Sequence, residues 1–237
     1  MQILYPGMHT PLSWLSTSVS LCRLKREIIQ AVYTERSAGA RTISFSTVSN
    51  LLLSLQKWLQ LIPPHLKHDV PAPPTHKRAV AVLHLHYWGS TILLCRPFLL
   101  YLVLKHSTLG SSKKIWFERM GKTCIDAAQK SIAILQQMAT ENTLSSLTAF
   151  DSTCILRLVM IFILAYAHTK LHQYRSSIEA AIALLRGMQQ IGFCQMVTEE
   201  TPMRLADLGI SDDNNISNAG VLLDDDLIAQ LWGNLDP

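Results

Sequence analysis

Close pairs of cysteines are missing from this chain. The five thiols, Cys22, Cys95, Cys124, Cys154 and Cys194, are so scattered that the nearest two lie 29 positions apart. A compact thiolate metal site needs C-x-x-C pairs, and a six-thiolate two-zinc cluster needs more cysteines than exist here, so this chain carries neither. The odd count argues against a disulfide framework and points to a reducing, intracellular compartment with mostly buried thiols.

Catalytic signatures are also absent. There is no G-x-S-x-G elbow, phosphate-cradling glycine loop, H-E-x-x-H pair or paired-carboxylate pattern. The expectation is a protein that is not an enzyme and holds no metal or cofactor. His168 and His172 have the i, i+4 spacing of two metal ligands on one helix, but no carboxylate or thiol stands nearby to complete a set. His84 and His86 would point about 200° apart around a helix and cannot share a ligand. His65 and His68 fall in a proline-rich stretch that reads as surface.

Charge is scarce, at 16% against 49% hydrophobic residues, so most of the chain should fold around a large core. The charge is also uneven. Residues 1–198 hold twenty Lys and Arg against eight Asp and Glu, a net of +12, whereas residues 199–237 hold one Arg and nine acids, a net of −8. A basic body with an acidic tail suits polyanion binding or association of the two halves. Doublets such as Lys77-Arg78 and Lys113-Lys114 are too short for a nucleic-acid patch, so no direct DNA contact is expected.

The start of the chain does not read as a signal peptide, because no basic stretch precedes an apolar one and Pro6 and Pro11 interrupt it. Residues 83–104 and 150–167 are long apolar runs. They contain Arg96, and Asp151 with Arg157, and a charge at mid-span costs about 2.5–3.5 kcal/mol. Both runs are read as buried core helices rather than membrane spans.

What is present is helical periodicity. Ser20 can cap a helix with Leu21, Leu24, Ile28 and Val32 on one face, broken by Ser37-Ala-Gly-Ala. Ser46 or Thr47 opens a second, carrying Val48, Leu51, Leu52, Leu55, Trp58 and Leu59 and closed by Pro63-Pro64. After a connector over 62–76, a third runs from Lys77 to Cys95. Pro97 should kink or end it before the apolar run resumes to Leu104. Gly110-Ser111-Ser112 precedes a fourth over Lys113–Met138, with Trp116, Met120, Cys124, Ala127, Ala128, Ile132 and Leu135 inward. A fifth, Leu144–Gln173, is apolar nearly all round and must be central. A sixth, Ser176–Ile191, opens on a Ser176/Glu179 capping box. Residues 199–220 read as loop. The reading is an all-α, irregular bundle of about six to eight helices over 1–198, with a partly disordered or partly helical acidic tail over 199–237.

Two blocks carry the most information: Leu55–Leu66, with Trp58 and Pro63, and Leu83–Leu100, with Tyr87, Leu94, Arg96 and Pro97. In this order and at this spacing, and followed by the Cys-x-x-Ala-Ala run of Cys124–Ala128 and the apolar and Ala/Leu-rich runs Leu156–Tyr166 and Ile178–Met188, they resemble the regulatory middle homology domain of fungal zinc-cluster transcription factors. The resemblance covers about Val19 to Gly192. It implies an all-α regulatory domain of a nuclear protein that controls RNA polymerase II transcription through protein contacts or a small-molecule effector. Against the family pattern, the zinc cluster and the earlier half of the regulatory domain are missing. The expectation is therefore an N-terminally truncated form with exposed apolar surface and a tendency to self-associate. Arg96 and Pro97 are read as structural, with Arg96 bonding to carbonyls freed by the proline or to a buried carboxylate.

In the tail, acids interleave with large apolar residues. Leu223, Leu227, Ile228, Leu231 and Trp232 would share a helix face beside Asp224, Asp225 and Asp226. Such a segment can contact co-regulators or the transcription machinery by docking its apolar face in a groove. Equally, it can be a last amphipathic helix packing back on the body. A helical small-molecule binder, an unrecognised enzyme, a peripheral membrane protein and a non-functional truncated paralogue remain the alternatives.

Overall fold

The computed structural model describes residues 10–34, 44–105 and 110–207. They form seven α-helices, with no strand among the described residues, as an all-α bundle requires. The C-terminal residues Leu223, Asp224, Asp225, Asp226, Leu227, Ile228, Leu231 and Trp232, like the Ser37–Ala40 break, lie outside the described residues.

Helix α1 spans Trp14–Ile29 and runs into a π-helical turn, Gln30–Thr34. It begins six residues before Ser20. Ser13 precedes it in the left-handed region, and the Trp14 indole donates to the Ala79 carbonyl at 2.7 Å, which ties this end to a later helix. Ser20 therefore sits inside the helix. Its hydroxyl donates to the Thr17 carbonyl at 2.7 Å instead of capping. The inner face is as expected, with Leu21, Ile28 and Val32 buried. Leu15 and Val19, one turn apart on α1, are 70% and 44% exposed.

Helix α2, Phe45–Leu61, starts on Ser44, whose side chain accepts the Thr47 amide at 3.1 Å. Pro63 ends it and leads into a single 3-10 turn, Pro64–Leu66, that buries Leu66 completely. Helix α3 covers Pro74–Lys105 and passes through Pro97 without ending. Its first turn takes Pro74, where a missing amide is no loss.

Helix α4, Ser111–Thr140, packs along α3. Their close approach is at Gly121, where an added Cβ would stand 3.0 Å from a Leu102 methyl and 3.8 Å from the Leu99 backbone. Helix α5, Ala149–Thr169, begins five residues later than its apolar pattern suggests. The cause is Asp151, which is fully buried. Its carboxylate takes the Ser145 amide at 2.8 Å and a two-pronged contact from Arg78 of α3 at 2.8 and 3.3 Å, while Arg78 also donates to the Thr143 carbonyl. These bonds hold residues 143–148 as a loop.

Lys170, at φ 57°, ends α5 and turns the chain into α6, His172–Gly187. The Ser176/Glu179 capping box is thus not formed: Ser176 is already one turn inside the helix, and Glu179 pairs with Arg175 at 3.2 Å. The same turn separates His168 from His172, which belong to different helices. Helix α7 spans Gly192–Asp207, so 199–207 is helical rather than loop.

Helix α3 contacts α1, α2, α4 and α5, and α5 packs in turn against α4, α6 and α7. The eight consecutive residues Leu158–Ala165 of α5 are all buried. Helices α3 and α5 are long and apolar enough to cross a membrane, yet 56% and 61% of their most apolar windows are buried inside the fold.

Removing the Asp151 carboxylate leaves the Ser145 amide without its acceptor and Arg78 with only the Thr143 carbonyl. Asp151→Ala should destabilise the fold by about 3 kcal/mol, near the lower end for a broken buried pair because Arg78 is about one-third exposed. Urea denaturation that shows less than about 0.5 kcal/mol of change would contradict this account of the α4–α5 loop.

Candidate functional site

A proline inside a helix deletes one amide, and the carbonyl four residues earlier loses its partner. For Pro97 that carbonyl belongs to Leu93. The Tyr33 hydroxyl donates to it at 2.8 Å, and Arg96 Nε donates to the same Tyr33 oxygen at 2.7 Å. Tyr33 sits on the π-helical turn that follows α1. The Arg96 guanidinium also lies 5.0 Å from the Tyr33 ring centre. Arg96 is 6% exposed, which such a buried cation tolerates only when hydrogen-bonded. The expected contact of Arg96 with the freed carbonyl is therefore made through Tyr33.

The other block meets α3 one stage earlier. Trp58 of α2 stacks on Tyr87 at 5.5 Å with the rings 12° apart, and both are buried. The Trp58 indole donates to Ser20 Oγ at 2.8 Å and lies 3.3 Å from the Thr17 carbonyl, so one side chain joins α1, α2 and α3. Pro63 opens the turn that puts the Leu66 carbonyl 2.9 Å from His84 Nε2. Leu94 is fully buried in the α3 core. Of the six motif residues, Tyr87, Leu94, Arg96 and Pro97 lie on α3, Trp58 stacks on Tyr87, and Pro63 opens the turn that meets His84.

Between α1, α3 and α5 lies a cleft with an internal volume of about 60 Å³. Its basic groups are Lys25, His86, Arg96 and Arg157, and its apolar wall includes Ile29, Leu93, Phe150 and Leu158. Among the described residues no carboxylate lines it. Gly89 forms part of its floor, where a Cβ would meet nothing within 4 Å. His86 rests on Phe150 at 4.7 Å. The apolar surroundings, then repulsion from Lys25 and Arg157, hold its pKa below the ordinary histidine value. Burial pushes the neighbouring Cys154 thiol up to about 12, so it is not a ready nucleophile. The cleft has room for the tip of a side chain, not for a drug-sized molecule. A roomier hollow of about 550 Å³ between α2, α3 and α4 is lined by groups of both signs, including Lys67, Asp69 and Lys130.

The remaining candidate chemistry disperses. Cys95 and Cys124 are buried together with their pKa values raised, Cys95 to about 12. Cys95, Cys124 and Cys194 are buried, Cys154 is half-buried and Cys22 is exposed, in line with mostly buried thiols. Among the described residues no three His, Cys, Asp or Glu side chains are grouped to hold a metal. Tyr33, Lys25 and Arg157 are the site residues that sequence reasoning did not single out. An internal proline does signal that some donor must answer the carbonyl of Leu93, but nothing local says that it comes from position 33.

Two outcomes follow from this geometry. Tyr33→Phe should cost about 1–2 kcal/mol in the native chain, and at least about 0.5 kcal/mol less in a Pro97→Ala background, where residue 97 supplies its own amide. Equal costs by urea denaturation in both backgrounds would refute the repair. Burial holds the His84 pKa below its unfolded value near 6.5. Its contribution is complete above that value and is lost as pH falls below it, because the unfolded chain binds the proton first. Stability should drop between about pH 7 and pH 5, less steeply in His84→Gln, and an unchanged slope would contradict this. His68 and His86, whose pKa values are also lowered, leave the variant some residual slope.

No protein-family model matches the chain, and no solved structure matches it. Among curated proteins, the chain is similar to "Activator of stress genes 1" of Saccharomyces cerevisiae (strain ATCC 204508 / S288c), with 32% identity over 134 residues. The match covers 54% of this chain and 13% of the yeast protein, so it spans only a small part of that relative's length.

Proposed function

We propose that this chain is a helical regulatory unit of a fungal transcription factor of the zinc-cluster type, acting in the nucleus through protein contacts rather than as an enzyme. The single observation that carries the reading is the 134-residue similarity to a protein named as an activator of stress genes. Two features of the molecule are consistent with it. The Trp58–Pro63 and Ile92–Pro97 blocks meet in one core around α3, where a regulatory helical domain needs rigidity. The described cysteines cannot assemble a two-zinc cluster, so DNA reading falls to another polypeptide or another segment.

In this reading the body, 1–198, is the regulatory portion, and Leu223–Trp232 contacts co-regulators or the transcription machinery. The exposed Leu15 and Val19 of α1 offer an apolar edge for self-association or for a further helical segment. A small-molecule effector would have the 550 Å³ hollow at its disposal.

Fusing the chain to an unrelated DNA-binding domain in yeast tests the reading. A reporter should rise on tethering, and Ala at Leu227, Ile228, Leu231 and Trp232 should abolish most of that rise, by about tenfold or more for loss of an apolar docking face. A reporter that is neither activated nor repressed by the tethered chain would overturn it.

A further inference from the structure

We infer that the hollow of about 550 Å³ between α2, α3 and α4 is a binding site for a free amino acid with a large apolar side chain. A role for that ligand as the effector of transcription rests on the proposed function, whereas the binding itself does not.

The first argument is the pattern of charge. Lys67 and Asp69 stand on the connector between α2 and α3, and Lys130 stands on α4, the other wall of the hollow. Among the described residues none of these three is in an ion pair. His68 and His84 also line the hollow, and burial holds both below the ordinary histidine pKa, so they are neutral at about pH 7. The charge of the site is therefore set by two cations and one anion that do not pair with one another. A simple anion would meet repulsion from Asp69, and a simple cation would meet it from two lysines. A zwitterion answers both signs, with its carboxylate on the lysines and its ammonium on Asp69.

The second argument is the wall beneath that rim. Leu59, Ile62, Trp88 and Ile134 make it apolar, and Leu59 and Trp88 are only half-buried. A large apolar side chain laid against them leaves water together with the wall, whereas a small one would leave the wall wet. The volume lies in the range of small-molecule sites.

The third argument is that the site is already built. His84 Nε2 lies 2.9 Å from the Leu66 carbonyl, the His68 ring rests edge-on to His84 at 5.6 Å, and the Val70 amide donates to the Lys67 carbonyl at 3.3 Å. These contacts hold the connector that carries Lys67 and Asp69, so a ligand has little to order on arrival. The adjoining hollow of about 330 Å³ shares Asp69, but its Lys77–Glu141 pair is already closed at 2.9 Å, so it offers no such set.

Isothermal titration calorimetry on the intact chain, with L-phenylalanine as the probe, tests the inference. Binding should saturate with a Kd of about 1 mM or tighter. Phenylalanine methyl ester lacks the negative charge, 3-phenylpropanoate lacks the ammonium and L-alanine lacks the ring. Each should bind at least about tenfold more weakly. The preference over 3-phenylpropanoate should vanish in Asp69→Ala, and the preference over the ester should vanish in the double variant Lys67→Ala, Lys130→Ala. All three substitutions fall on rim residues that are exposed or half-buried, so the fold stays intact. No saturable binding of L-phenylalanine or L-tryptophan up to about 10 mM would overturn the inference. So would discrimination among the analogues that is the same in the variants as in the native chain. Binding beside an inert reporter would leave the inference standing, and an active reporter without binding would overturn it alone.

Discussion

The hydroxyl of Tyr33 does work that the backbone of α3 cannot do for itself. Pro97 deprives the Leu93 carbonyl of its amide, and the hydroxyl that answers it comes from the end of α1, sixty residues earlier. Arg96 then binds the same oxygen, so a buried cation and a buried carbonyl are satisfied by one tyrosine. Without that bond a 32-residue helix would carry an unpaired carbonyl beside a proline at the centre of the bundle. With it, α1 is fastened to α3, and the cleft between α1, α3 and α5 acquires a fixed wall.

Much of the rest follows from α3 being continuous. Its earlier half receives Trp58 on Tyr87, and the Leu66 carbonyl on His84. Its later half lies close along α4, with Gly121 permitting the approach. Helix α5 is fastened to the beginning of α3 by the Asp151–Arg78 pair and closes the opposite side. These contacts make α3 the element on which α1, α2, α4 and α5 are all seated.

The helices themselves were legible because apolar residues recur with the period of a helix, and because α5 is apolar on every side. The ends were less so, for reasons that lie at particular residues. Ser13 takes a left-handed backbone and offers no side-chain cap, so nothing in the sequence marks the start of α1. Asp151 looks like an intruder in an apolar run, but it is the acceptor for a residue 73 positions away and sets where α5 begins. Ser176 and Glu179 have the spacing of a cap, yet the chain has already turned at Lys170 and entered α6. The Arg96-Pro97 pair stands out in the sequence, whereas Tyr33, which meets both Arg96 and the Leu93 carbonyl, does not, since a contact across sixty residues leaves no periodic trace.

The account stands or falls on α3 behaving as one helix across Pro97. Native-state hydrogen exchange of the α3 amides on either side of the proline measures this directly. The account predicts that amides of residues 91–95 and 98–102 open together, with the free energy of global unfolding. Independent opening of 98–102 at a free energy well below that of 91–95 would mean that the helix is hinged at Pro97 and that Tyr33 does not bridge it.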